Sequence, residues 1–308
     1  MLSGIGPKAE LNEAGIQVKL DLPAVGANFQ DHPVSYLNWN LTKDTSFPNP
    51  TTLTTNATFN ASSYQEYLAN RTGPYTQAHG NSGAFLPLSL ITPNFTSIVH
   101  ALEAQSATTY LPETYSEHPE LLAGFEAQRS ILVQQFLGNN SAVHEFPFNG
   151  GGSTPAALQK PVSRGTITLN KTSILSEPIV DYNTFVNPTD EAIMLAMIRY
   201  TRKFFATSAM AKLGPVETAP GVQAQTDGQI LAILKAGLLQ PSFAHPSCSC
   251  AMMPKKLGGC VSSKLLVYGT KKLSIIDASI MPMIVGAHLQ ETQYAVAEKA
   301  ADIIKSRA

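Results

Sequence analysis

Apolar positions recur with a helical period over 189–207, where Ile193, Met194, Met197, Ile198, Phe204 and Phe205 fall on one face and predict a helix with one side buried. A shorter helix is expected over 8–15, closed by Gly15, and the alternating run Ile16-Gln17-Val18-Lys19-Leu20 behind it suits a strand. From about 33 to 180 the texture changes to short strand-like runs at 34–41, 83–90, 131–137 and 165–169. Polar and Gly/Pro-rich loops separate them, the clearest being Asn149-Gly150-Gly151-Gly152-Ser153. Beyond a loop expected at 214–221, the pattern predicts a helix over 227–238, a strand at Leu273-Ser274-Ile275-Ile276-Asp277 and a closing helix from about 291 to 306.

Composition narrows what such a chain can do. The 308 residues are 44% hydrophobic but only 14% charged, enough apolar material for one large domain or two ordinary ones. Lys+Arg number 21 and Asp+Glu 22, a net charge of −1, with no basic run longer than a lysine pair. Such a chain carries no electrostatic footprint for nucleic acid. No apolar stretch approaches the ~18–20 residues a membrane-spanning helix needs, so no membrane partner is expected. There is no internal repeat and no low-complexity linker.

The cysteines Cys248, Cys250 and Cys260 are spaced C-x-C-x9-C, without the paired C-x2-C of a structural zinc site, and no metal is expected. They read as small buried side chains, or as one local disulfide with a spare thiol. Seven N-x-S/T triplets begin at Asn40, Asn56, Asn60, Asn70, Asn94, Asn139 and Asn170, all in the first 170 residues. They point to a secreted or lumenal glycoprotein, although the opening Met1–Pro7 has neither the charged nor the apolar region of a signal peptide.

Candidate chemistry centres on two histidines. His245 stands in Ser242-Phe243-Ala244-His245-Pro246-Ser247 and His288 in Val285-Gly286-Ala287-His288-Leu289-Gln290, both uncharged surroundings. A neutral imidazole there can take a proton near neutral pH, and two such rings could share one substrate hydroxyl. Asp277 ends the expected strand, where ligands sit in open α/β sheets, or else caps a turn. Neither G-x-G-x-x-G between strand and helix nor G-x-x-x-x-G-K-[ST] occurs, so no self-contained nucleotide loop is expected. The G-x-S-x-G elbow and H-E-x-x-H are missing as well, which removes serine hydrolase and zincin readings.

Three blocks carry a family likeness. Leu2-Ser3-Gly4-Ile5-Gly6-Pro7 is followed by Asp21-Leu22-Pro23-Ala24-Val25-Gly26-Ala27-Asn28-Phe29-Gln30-Asp31-His32. Pro161-Val162-Ser163-Arg164-Gly165 leads to Pro178-Ile179-Val180-Asp181-Tyr182. Ile276-Asp277-Ala278-Ser279-Ile280-Met281-Pro282 and Ala297-Glu298-Lys299-Ala300-Ala301-Asp302 close the chain. Together they resemble, in order, the C-terminal half of the glucose-methanol-choline (GMC) family of FAD-dependent oxidoreductases. Ser247-Cys248-Ser249-Cys250 resembles a fungal secondary-metabolite branch of that family.

The resemblance implies an α+β fold. A sheet-based substrate-binding domain with flanking helices would span 33–240, and 1–32 and 241–308 would be pieces of an α/β FAD-binding domain. It implies FAD as cofactor and an alcohol as the small-molecule substrate. His245 would be the base that takes the hydroxyl proton while hydride passes to the flavin, and His288 would bind the same hydroxyl. Asp277, Ala278, Asn28, His288 and Leu289 would lie near the cofactor. Two other outcomes remain open: a flavin-fold lyase or cyclase without net oxidation, and an inactive fragment. The family segment bearing the strand, G-x-G-x-x-G loop and ribose-binding acid is expected to precede this sequence, as the missing N-terminal half of the FAD domain in a longer secreted enzyme.

Overall fold

The structure, a computed structural model, describes residues 1–49, 51–77, 82–148 and 150–307. Val34–Leu41 forms the central strand of a six-stranded antiparallel sheet. On one side it pairs with Ser153–Leu158, which pairs with His144–Pro147 and through it with Gly83–Leu86. On its other side Leu239–Gln240 pairs with Val34 and Ser35, and Pro215–Ala219 pairs with Asn38 to Leu41 beyond a register shift at Asn38/Trp39. The fold is α+β, as expected.

Alternation along the strands gives the sheet two different faces. His144 and Phe146 pack edge-on against Tyr200, and Phe146 also meets Phe204, on the helix Pro188–Phe205. Trp39 stacks on Phe205 of that helix with ring centroids 3.9 Å apart. The helices Phe95–Glu103 and Pro119–Leu137 complete this layer, burying Val99, Leu102, Leu132 and Phe136. Glu145, one residue from His144 and Phe146, projects to the opposite face. Because side chains alternate with a period of two, a slip of one residue here would exchange the core face for the site face.

Several expectations change. The run 131–137 is not a strand: it is the last third of the helix Pro119–Leu137, whose buried residues Leu121, Gly124, Phe125, Gln128, Leu132 and Phe136 follow the helical period over a window longer than the β-branched cluster at Ile131–Val133. The helices Ala57–Asn70 and Phe95–Glu103 lie within the stretch read as strand-like. The strand expected at 83–90 stops at Leu86, because Pro87 precedes a turn of helix over Leu88–Ile91. The expected loop at 214–221 contains the edge strand Pro215–Ala219. Of 16–20, only Leu20 joins a strand, Leu20–Asp21, parallel to Ile5–Gly6. No strand forms at 273–277 beyond a Leu266–Ser274 bridge, and Asp277 instead caps the short helix Ala278–Ile280. Asn149 of the expected Gly-rich loop lies outside the described residues.

The helices expected at 8–15, 189–207 and 227–238 form as Lys8–Glu13, Pro188–Phe205 and Asp227–Ile233, the last continuing into Leu234–Leu238. The closing helix is Leu289–Lys305. A disulfide joins Cys250 to Cys260, and Cys248 is a buried free thiol whose pKa burial pushes up to about 12. Among the described residues no helix is long and apolar enough to cross a membrane, and no group of three or more His, Cys, Asp or Glu could hold a metal ion.

His144 is fully buried, neither ring nitrogen has a hydrogen-bond partner, and burial pushes its pKa from 6.5 down to about 3. The unfolded chain therefore binds a proton below about pH 6.5 that the folded chain refuses until about pH 3. Stability drains across that window at about 1.4 kcal/mol per pH unit. His144→Leu should reduce the loss of unfolding free energy between pH 7 and pH 5 by about 2 kcal/mol, as measured by urea unfolding at the two pH values. An unchanged loss would show that His144 does not carry this linkage.

Candidate active site

Two loops and one buried carboxylate bring the site together. Residues 28–32 run into the central strand, and Gln30 makes a main-chain bridge with Ser247, two residues beyond His245. Asp31 Oδ1 accepts hydrogen bonds from the backbone N–H groups of His32 (2.7 Å), Phe243 (3.2 Å) and His245 (3.1 Å), while Oδ2 accepts from the Ser242 hydroxyl (2.6 Å). Burial raises its carboxyl pKa and the four donors oppose that rise. An acceptor that takes only N–H and O–H groups is acting as a carboxylate.

The histidine rings follow from this anchorage. His245 and His288 are brought together, with ring centroids 5.0 Å apart. His245 Nδ1 lies 2.9 Å from Nδ1 of His32, a fully buried residue. His288 Nε2 donates to Glu145 Oε1 at 2.6 Å, and Glu145 is itself buried. Gln159 closes the circuit, its amide nitrogen 2.8 Å from Glu145 Oε2 and 3.4 Å from His32 Nδ1. Phe243 stands edge-on to both His245 and His288, at 5.6 and 5.8 Å. His245 Nε2 and His288 Nδ1 have no hydrogen-bond partner among the described residues, so each ring keeps one nitrogen for a ligand. Burial, with a smaller contribution from the neighbouring His288, lowers the pKa of His245 to about 4, so this ring is neutral at physiological pH.

The other candidates fall in different places. His288 is the N-cap residue of the helix Leu289–Lys305, and Leu289 is buried at its first turn. No side chain caps this N-terminus, so its backbone N–H groups and positive dipole end point from beside the histidine pair. Asn28 has φ +62°, and its side chain is committed internally. Its amide nitrogen donates to the carbonyls of Cys248 and Pro282, and its oxygen accepts from Arg164 and Gln30. Asp277 is exposed, its Oδ1 accepts from Ser279 N at 2.8 Å, and it lines an apolar cavity of about 430 Å³ with Gly26, Ile167 and Ser279. That cavity has no histidine in its wall. Main-chain bonds from Cys248, Cys250 and Met252 to Ala278, Ser279 and Ile280 tie this region to the strip that carries His245.

His32, Glu145, Gln159 and Asp31 were not singled out from the sequence. The available signals were that Asp31-His32 directly precedes a strong strand pattern and ends a block of the family likeness. Arg164 is another buried organiser. Its guanidinium donates to Gln128, Asn28 and the carbonyls of Pro161, Val162 and Ser163, and lies 5.5 Å over the Phe125 ring.

Known proteins match this chain in sequence and fold. A family model described as GMC oxidoreductase matches residues 161–297. Dehydrogenase xptC of Emericella nidulans is 35% identical over 99% of this chain and 49% of its own length. Patulin synthase of Aspergillus clavatus is 30% identical over 98% of this chain and 46% of its own length. Among solved structures, an FAD-dependent oxidoreductase from Chaetomium thermophilum superposes with TM-score 0.93 at 38% identity, over 99% of this chain and 52% of that one. A fungal aryl-alcohol oxidase does so with TM-score 0.93 at 37% identity, with the same coverage. The chain spans about half the length of the curated relatives it matches.

If Asp31 anchors the site, Asp31→Asn should place an N–H against donors it cannot accept. A loss of about 2–3 kcal/mol in unfolding free energy is expected, together with a changed His245 ring signal in the NMR spectrum of the folded variant. Wild-type stability and an unmoved His245 signal would remove Asp31 from this role.

Proposed function

The chain belongs to the GMC oxidoreductase family, and from that premise we propose that it carries the substrate-facing part of an FAD-dependent enzyme that oxidises an alcohol. The observation that carries the reading is the convergence of His245 and His288, each with one nitrogen left open, beside an uncapped helix N-terminus. The sheet domain of 33–240 would supply the pocket walls, and 1–32 with 241–308 the contribution to the cofactor domain. In support, the two terminal segments bond through Gly26 N to Ser249 O and the Gln30–Ser247 pair.

The donor set fits a flavin. The open N–H groups at the start of Leu289–Lys305 suit an electron-rich carbonyl edge. Asp277, Ala278 and the cavity of about 430 Å³ beside them are the surface offered to the remainder of the cofactor. Asn28 would act from behind, holding the 248 and 282 loops in register. Bound FAD supplies the hydride acceptor.

The residues of this chain handle the proton. His245, neutral because it is partly buried, accepts the substrate hydroxyl proton at Nε2 as C–H cleavage begins. His288, held through Nε2 by Glu145, closes the other side of the substrate pocket. Removing that proton raises electron density on oxygen and eases departure of hydride from carbon. Phe243, edge-on to both rings, forms an apolar wall that favours substrates with a flat or hydrophobic body. We also read the product as a secreted or lumenal glycoprotein. Asn40, Asn56, Asn70, Asn94 and Asn139 are exposed, whereas the Asn60 amide nitrogen donates to Leu53 O at 2.7 Å.

With the FAD-loaded protein, His245→Gln should slow anaerobic flavin reduction by an aryl alcohol about 10²- to 10⁴-fold. The wild-type rate should climb as pH rises through about 4 and level off towards neutrality, because only the neutral ring accepts a proton. A His245→Gln rate equal to wild type would refute the assignment. Secreted from a eukaryotic host, the protein should carry glycans at the five exposed asparagines and none at Asn60, as read by glycopeptide mass spectrometry; the reverse pattern would refute the site choice.

A further inference from the structure

An imidazole that serves as base at one nitrogen must hold its own proton on the other, and something must decide which. In a neutral pair of rings that meet Nδ1 to Nδ1, one nitrogen donates and the other accepts. His32 and His245 meet this way at 2.9 Å, with planes crossed at 82°. The partners of His32 set the direction. Gln159 must turn its NH₂ towards Glu145 Oε2, since its carbonyl oxygen would repel the carboxylate, and the same NH₂ then lies 3.4 Å from His32 Nδ1. His32 Nδ1 is therefore an acceptor, and the proton in the 2.9 Å contact belongs to His245.

The proton of His32 itself then sits on Nε2. Nε2 makes no hydrogen bond among the described residues, so no partner there opposes this assignment. Burial, with smaller contributions from His245, Lys160 and His288, holds His32 neutral; the Asp31 carboxylate takes its backbone N–H, and Glu145 reaches the ring only through Gln159. Asp31 binds the backbone N–H of both residues and keeps the two rings in register.

We infer that His32 is a positioning residue that locks His245 in the Nδ1–H tautomer, so that Nε2 presents its lone pair to the substrate hydroxyl. The inference rests on the reading of His245 as the base, and it extends that reading to a residue without substrate contact. A ring in the other tautomer would offer an N–H to the hydroxyl and could not take its proton.

The test is long-range ¹H–¹⁵N correlation on the histidine-labelled chain, with His245 assigned by the loss of its signals in His245→Gln and His144 used as the marker of folding. Wild type should show His245 protonated at Nδ1 and bare at Nε2. His32→Leu should give a tautomer mixture. His32→Asn, whose side-chain oxygen replaces the accepting nitrogen, should restore the wild-type pattern. In the FAD-loaded protein, flavin reduction by an aryl alcohol should fall about 10- to 100-fold in His32→Leu and return to within a few-fold in His32→Asn. A wild-type His245 protonated at Nε2 would overturn the inference, as would an unchanged tautomer in folded His32→Leu. If His32→Leu does not fold, the wild-type tautomer alone decides. Flavin reduction at the wild-type rate in His245→Gln would refute the base assignment while leaving the tautomer result intact, so the two failures are distinct.

Discussion

The buried carboxylate of Asp31 is the constraint from which the site's geometry follows. Its two oxygens gather the backbone N–H groups of His32, Phe243 and His245 and the Ser242 hydroxyl, joining segments 211 to 214 residues apart in sequence. A carboxylate buried with four donors is worth its desolvation only when all four are in place. It therefore acts as a latch: the 242–245 turn is held against the start of the central strand, or the charge is left unmet. With the latch closed, His245 can sit only beside His32, and Phe243 only across the open side of the pair.

The sheet supplies the other half of the geometry through its period of two. In His144-Glu145-Phe146 the outer two residues enter the helix-packed core and the middle one turns to the site. The same alternation gives one residue that is a buried neutral ring without a hydrogen-bond partner and another that is a hydrogen-bonded carboxylate. Glu145 fixes His288 directly and His32 through Gln159, so strand register, not loop conformation, sets the separation of the two open nitrogens. Arg164 and the Cys250–Cys260 disulfide stiffen the segments behind this circuit.

What could be read from the chain beforehand depended on whether the signal was local. The helix over 189–207 and the strand Val34–Leu41 were legible because each buries a face in a single unbroken period. The helix Pro119–Leu137 was not, because its buried face includes Gly124 and Gln128, and a short β-branched cluster at its end mimics a strand. Pro215–Ala219 is a strand only because the edge of the central strand is there to receive it. In the site, His245 and His288 stood out by their neighbours, and the family resemblance gave them roles. Glu145, Gln159 and His32 are ordinary in sequence, and their importance arises from pairings that span 14 to 213 residues. Asp277 ends an expected strand that pairs only through the Leu266–Ser274 bridge, and its carboxylate serves a turn.

The central claim is that a substrate hydroxyl donates to His245 Nε2, in the space between His245 and His288. A crystal structure of the FAD-loaded protein with a bound, unreactive alcohol analogue tests it most directly. The analogue's hydroxyl oxygen should lie within ~2.6–3.2 Å of His245 Nε2, with the His245 Nδ1 contact to His32 retained. An oxygen bound away from the pair, or a His245 ring turned to meet it through Nδ1, would contradict the account.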